Sequence, residues 1–282
     1  MTFTTAAAIL TVTLLFIILK YFEKFGIDNF QGLTANYATA GICYYFYSQT
    51  SVVEFKNFAV QFFPFYLLMG CLFISVFYLT ALSSQQNGVS VATIASKMSV
   101  VIPVLAGVVL YGENFHSLKI LGLILAVLSV YLTSTGDQSS LKNKILLPIL
   151  VFLGAGLVDS SIKYVQHTVH IGSAGFFSLV FFSAFTAGVL IILFRYLKYN
   201  IELRLKNIAG GIILGVCNFA SLYYVIGALE ENNNDSGTVY IAVNCGVVLC
   251  SVLLSAILFR EKLTSRGITG VVIALAAIFV LS

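Results

Sequence analysis

The 282-residue chain is 59% hydrophobic and only 9% charged, with a mean hydropathy of +0.99 and a formal net charge of +4. Soluble domains carry about 25% charged residues, and a chain this poor in charge would expose apolar patches that soluble monomers avoid. The composition points to an all-α integral membrane protein. Its positive charge is scattered over connections instead of forming a tract, which argues against a nucleic-acid partner.

A helix crossing a bilayer needs about 20 mostly apolar residues. Ten segments meet or approach that length: 3–21, 32–48, 61–82, 90–111, 118–135, 145–165, 174–196, 208–228, 238–259 and 267–282. The first has no basic residues before it and no small-residue cleavage site after it, so it reads as a span and not as a signal peptide. The charges sit mostly between spans, as in EFKN (54–57), GDQSSLKNK (136–144), RYLKYNIELRLKN (195–207) and EENNNDSG (230–237). The runs are continuously apolar, which excludes the alternation of a barrel strand. Backbone in lipid must satisfy its own hydrogen bonds, so the runs are helices. Cys43, Cys71, Cys217, Cys245 and Cys250 all lie inside them, with no CxxC spacing, and read as small core hydrophobes. Glycines such as Gly70, Gly107, Gly154, Gly156, Gly188, Gly210, Gly211, Gly215 and Gly246 read as points of close helix approach.

The chain repeats itself. Aligning 90–134 with 238–282 without a gap gives 11 identities in 45 columns. The informative columns are polar or glycine: Glu113/Glu261, Ser117/Ser265 and Gly122/Gly270. Lys20-Tyr21 closes the first span and Lys163-Tyr164 the sixth. Two five-span halves, 1–141 and 142–282, are therefore expected, and an odd number of spans inverts the second half in the membrane. Each glutamate falls at a corner between two helices, where it would favour the positive N-terminus of the helix that follows. Gly122 and Gly270 lie one to two turns into that helix, where a side chain would block packing.

These features resemble the drug/metabolite transporter superfamily, in its EamA-like branch. The carrying stretches are SKMSVVIPVLAGVVLYGENFHSLKILGLILAVLSVYL (96–132), LLSAILFREKLTSRGITGVVIALAAIFVL (253–281) and LKYFEKFGIDNFQGLTANYATA (19–40). The resemblance covers essentially the whole chain. It implies ten transmembrane helices in two inverted repeats in the plasma membrane. It also implies alternating access around a central cavity and transport of a small polar metabolite or drug. In one departure, Pro103 of the first repeat is matched by Ser251 in the second, so the ninth helix is expected to run straighter than the fourth.

Ionisable groups inside spans are costly and point to function. Lys97, in the fourth span, can line a cavity and meet an anionic substrate group, or snorkel to the interface. Its neighbour Ser96 matches Asn244 across the repeat, and Asn244 can line the cavity or bond between helices. Asp159 lies four residues before Lys163, a spacing suited to an ion pair on one helix face; the functional alternative is a proton or cation relay. Asn36, Asn218, Tyr78, Tyr223 and Tyr224 are further candidates for the cavity wall.

No HExxH, P-loop, GxSxG or dinucleotide fingerprint occurs. His167 and His170 lack a third ligand nearby, so no metal or cofactor is expected, and no catalytic residue. The expected partners are a small molecule, anionic ones included, the lipid bilayer and a coupling ion. The odd-numbered connections hold 11 basic residues and the even ones 3. The positive-inside rule thus puts the termini outside, whereas the family pattern puts them inside. Orientation and oligomeric state stay open. The alternatives to a transporter are a channel, or a structural or receptor-like membrane protein.

Overall fold

The computed structural model describes residues 2–49, 51–111, 117–134, 141–168, 174–231, 236–262 and 264–281. Among these it contains twelve helices: α1 (Phe3–Lys24), α2 (Asn29–Ser48), α3 (Val52–Gln61), α4 (Phe63–Gln86), α5 (Val89–Met98), α6 (Val101–Tyr111), α7 (Ser117–Ser134), α8 (Leu141–Thr168), α9 (Ala174–Tyr199), α10 (Leu205–Glu231), α11 (Ser236–Phe259) and α12 (Ser265–Leu281). Among the described residues, seven stretches are long and apolar enough to cross a membrane: α1, α4, Val89–Val109 across α5 and α6, all of α10, and most of α8, α9 and α11. The protein is a multi-pass helical membrane protein. Apolar α7 and α12 are shorter, and the more polar α2 falls outside the set.

Two prolines account for the breaks. Proline cannot donate to the carbonyl four residues back. Pro64 therefore leaves Val60 without its partner, and the helix restarts at Phe63 after a turn at Phe62. Pro103 does the same to Ser99, whose carbonyl is taken instead by the Ile102 amide, one residue closer, at 2.9 Å. The chain turns at Ser99–Val100, and α5 and α6 are separate helices. In α11, Ser251 stands in the matching column and the helix runs unbroken, as the substitution led one to expect.

The chain divides into two compact units, each drawing on both halves of the sequence. One comprises residues 1–20, 79–160 and 220–282; the other, 21–78 and 161–219.

In the first unit α7 packs along α12, and α5 lies against α7, α11 and α12. Ile94, Met98, Val101, Ala126, Val130, Val151, Val248, Val271, Ala274 and Ala277 form its core. A Cβ on Gly270 would sit 2.6 Å from a Thr133 methyl, so the repeated glycine is a contact point between α12 and α7. Gly122 is buried in α7. Ser90 and Ser255 hydrogen-bond at 2.8 Å between α5 and α11. Glu261 departs from expectation. The start of α12 is served by Thr264, whose hydroxyl accepts from the Gly267 amide at 3.2 Å. The Glu261 carboxylate instead accepts from the Val89 amide at 3.0 Å and so caps α5. Gly88, with φ of +97°, brings that amide to the carboxylate; a Cβ there would lie 2.9 Å from a Glu261 oxygen. The corner glutamate favours a helix N-terminus, but that of a helix distant in sequence. Its counterpart Glu113 lies outside the described residues.

In the second unit α2 is the central helix. Gly26, in the left-handed region, ends α1, with the Gly26 and Ile27 amides bonded to the Glu23 and Phe22 carbonyls at 3.1 and 2.8 Å. Asp28 then caps α2 through the Gln31 amide at 3.0 Å. α9 runs antiparallel to α2: Asp28 meets Arg195, Thr34 meets Gly188, and the Gly41 carbonyl accepts from Ser178 at 2.9 Å. α10 runs parallel to α2, its Gly211 against Gly32 and Ala35 and its Gly215 against Asn36 and Thr39. This is the small-xxx-small contact of membrane helices, in which missing side chains let backbones touch. Tyr37, Tyr44, Phe177, Phe181 and Phe219 fill the level beyond it.

A polar clamp holds one end of this unit. Arg195 donates to both Asp28 oxygens at 3.0 and 2.9 Å. The Gln31 side chain donates to the Glu202 carbonyl and accepts from the Arg204 amide and Asn207 Nδ2. Asn207 Oδ1 accepts from the Asp28 amide at 3.2 Å. Burial opposes ionisation of Asp28, but the Arg195 hydrogen bonds and charge, with the Gln31 and Phe30 amides, outweigh it and hold the carboxyl below the usual carboxylate range.

Three substitutions have expected outcomes. A Cβ at Gly211 would lie 2.3 Å from the Gly32 carbonyl oxygen, so Gly211→Val should destabilise the detergent-solubilised protein by about 1–3 kcal/mol. At Gly227 the nearest atom is 3.6 Å away, and Gly227→Ala should leave the melting temperature unchanged or raised. Because the Asp28 carboxyl is depressed on folding, its contribution is present above the ordinary aspartate value of about 4 and is lost as pH falls through the folded value. Asp28→Asn should cost about 1 kcal/mol, after discounting for a pair whose side chains are 27% and 30% exposed. It should also flatten the acid limb of the melting curve; an unaltered limb would show that the clamp carries no such linkage.

Candidate functional site

The break at Ser99–Val100 sits near the middle of the Val89–Val109 span. The last carbonyls of a helix have no intrahelical donors and form the negative end of its dipole, so α5 presents that end inside the span. Lys97 lies in the last turn, half buried beside half-buried Ser96. The Ser99 hydroxyl donates back to the Ser96 carbonyl at 2.5 Å.

α8 closes onto this break because Gly156 has no side chain: a Cβ there would lie 2.3 Å from the Ile102 Cδ1. Asp159 follows almost one turn later and comes level with Ser99. Its carboxylate is within electrostatic reach of Lys97 and in hydrogen-bonding range of the Ser99 hydroxyl. Asp159 thus comes within electrostatic reach of Lys97 on α5, besides the Lys163 that lies four residues on along its own helix. Asp159 as a residue is exposed. Tyr240 on α11 lies within electrostatic reach of Asp159. Asn244, half buried, is one turn further along the same face of α11.

The structure therefore groups Lys97, Ser96 and Asp159 in the first unit, with Asn244 nearby on the face carrying Tyr240. It adds Ser99 and Tyr240, which sequence reasoning missed. Two signals for them were present: Ser99 is four residues before Pro103, and Tyr240 is four before Asn244. Tyr223 also belongs to this unit, exposed and edge-on to Tyr224 at 5.3 Å. The remaining candidates lie in the second unit. Tyr78 stacks on Phe30 with ring centroids 4.2 Å apart. Asn218 Nδ2 donates to Asn36 Oδ1 at 3.3 Å, and Asn36 is fully buried.

No group of three or more His, Cys, Asp or Glu with metal-binding geometry occurs among the described residues. His170 lies outside them.

No protein-family profile matches the chain. A protein of Haemophilus influenzae (strain ATCC 51907 / DSM 11121 / KW20 / Rd), described as an uncharacterized protein, is 28% identical over 283 residues, covering 97% of this chain and 95% of its own length. The likeness covers nearly the whole length of both chains.

Proposed function

We propose that the chain is a secondary transporter of the EamA-like kind. It moves a small polar metabolite or drug across the plasma membrane by alternating access, through a central cavity between two inverted five-helix repeats. The observation that carries this reading is the pair formed by Asp159 and Lys97. An ionisable aspartate at the depth of a mid-span helix break is too costly to face lipid; such groups face water-filled paths and mark the routes of substrates and ions. Broken helices at membrane depth are tolerated where they line a cavity.

Helix pairing supports the same reading. Counting α3–α4 and α5–α6 as one span each, α2 and α9 are the second spans of the two halves, α5–α6 and α11 the fourth, and α7 and α12 the fifth. α2 packs on α9, α5 on α11 and α7 on α12. Equivalent helices meet in this way when two repeats are related by an axis in the membrane plane. A structural or receptor-like protein has no need of charges at this depth.

The test is uptake into proteoliposomes. Radiolabelled amino acids, organic acids, nucleosides, sugars and cationic drugs are first ranked by their effect on the melting temperature of the purified protein. The highest-ranked compound should enter with saturable kinetics. Asp159→Asn and Lys97→Ala should each slow uptake by about tenfold or more, equivalent to about 1.4 kcal/mol, while the protein still melts cooperatively. Flux that never saturates would assign a channel. Wild-type rates in both variants would remove the pair from the transport path.

A further inference from the structure

We propose that Asp159 and the carbonyl end of α5 form a site for one monovalent cation, and that the Lys97 ammonium is a tethered stand-in for that cation. Three features converge there. Pro103 ends α5 inside the span, which leaves its last-turn carbonyls and the negative end of its dipole in low dielectric. Gly156 lets α8 approach until Asp159 stands level with Ser99 and within electrostatic reach of Lys97. The Ser99 hydroxyl beside the carboxylate supplies a further oxygen, and the Tyr240 phenol lies within electrostatic reach of it.

Carboxylate, hydroxyl and freed backbone carbonyls at a broken helix are the oxygen set that membrane proteins use to hold Na⁺ or a proton. A divalent ion is disfavoured, since Ca²⁺ takes six to eight oxygens, usually from several carboxylates, and no acidic cluster gathers among the described residues. Lys97 already places one positive charge at this end of α5. With the ammonium present, a free cation would meet a like charge; without it, Asp159 must find another partner, because a lone carboxylate at this depth is strongly unfavourable. Lys97 thereby makes the wild-type protein independent of external Na⁺ at this point. The inference rests on the transport reading only for the membrane setting of the pair.

The experiment compares melting temperatures of purified full-length wild type, Lys97→Gln, Lys97→Arg and the double variant Lys97→Gln/Asp159→Asn. Each is measured in NaCl and in equimolar choline chloride, at alkaline pH, where a proton competes least. Lys97→Gln should gain a saturable Na⁺ dependence, about 3–5 °C at tenfold excess over Kd. Wild type, Lys97→Arg and the neutral double variant should show none. A Lys97→Gln protein that can be purified only in Na⁺ supports the assignment as well. Equal melting of Lys97→Gln in both salts overturns it. So does equal Na⁺ stabilisation of wild type, or a Lys97→Gln protein recoverable in neither salt while the double variant folds. A Na⁺-blind Lys97→Gln protein that still loses uptake would sink this assignment and leave the transport reading standing.

Discussion

A helix in a bilayer has to satisfy its backbone from within, and Pro103 denies the fourth apolar segment that possibility. The missing amide leaves the Ser99 carbonyl to be closed by Ile102, and the helix stops at Met98. That interruption gives the first unit its chemistry. It puts the polar end of α5 inside the apolar layer and carries Lys97 there with it. It also sets Ser99 opposite the one acidic residue of the span contributed by α8. A continuous helix would have hidden its carbonyls and left Lys97 a charge without a setting.

Glycines decide how near the other helices come. Gly156 opens α8 to the broken helix, so Asp159 reaches it; Gly211 and Gly215 let α10 lie on the backbone of α2; Gly270 seats α12 on α7. In water, apolar side chains would drive such contacts. In lipid they offer little preference for protein over tails, and close backbone approach with hydrogen bonds takes over. The Asp28–Arg195–Gln31–Asn207 clamp and the Glu261 cap on α5 belong to the same economy of few, well-placed polar contacts. They secure helix ends, where the chain leaves the layer in which its ladder is complete.

Much of this was legible in one dimension. The apolar runs declare helices in a membrane because the length and continuity of a span follow directly from bilayer thickness. The Pro103/Ser251 difference marked the ninth helix as the straighter of the two, since the missing amide is a property of one residue; that the fourth span, read as continuous over 90–111, divides into α5 and α6 came only with the structure. The glycines foretold close packing, because the absence of a side chain is also local. Glu261 was misread for a physical reason. A carboxylate near a helix start has a default partner in the next helix, and only the fold shows that Thr264 serves that helix while Glu261 crosses to Val89.

By itself the sequence determined what each segment is: an apolar helix, a corner, a charge placed at a depth where it is expensive. Which charge meets which was decided by the tertiary structure alone. Asp159 has Lys163 four residues away along its own helix and Lys97 62 residues away along the chain. Spacing brings the first close; the packing of Gly156 on Ile102 brings the second within electrostatic reach. Partnership between charges depends on distance and burial in three dimensions, and sequence separation bounds that distance only within a single helix.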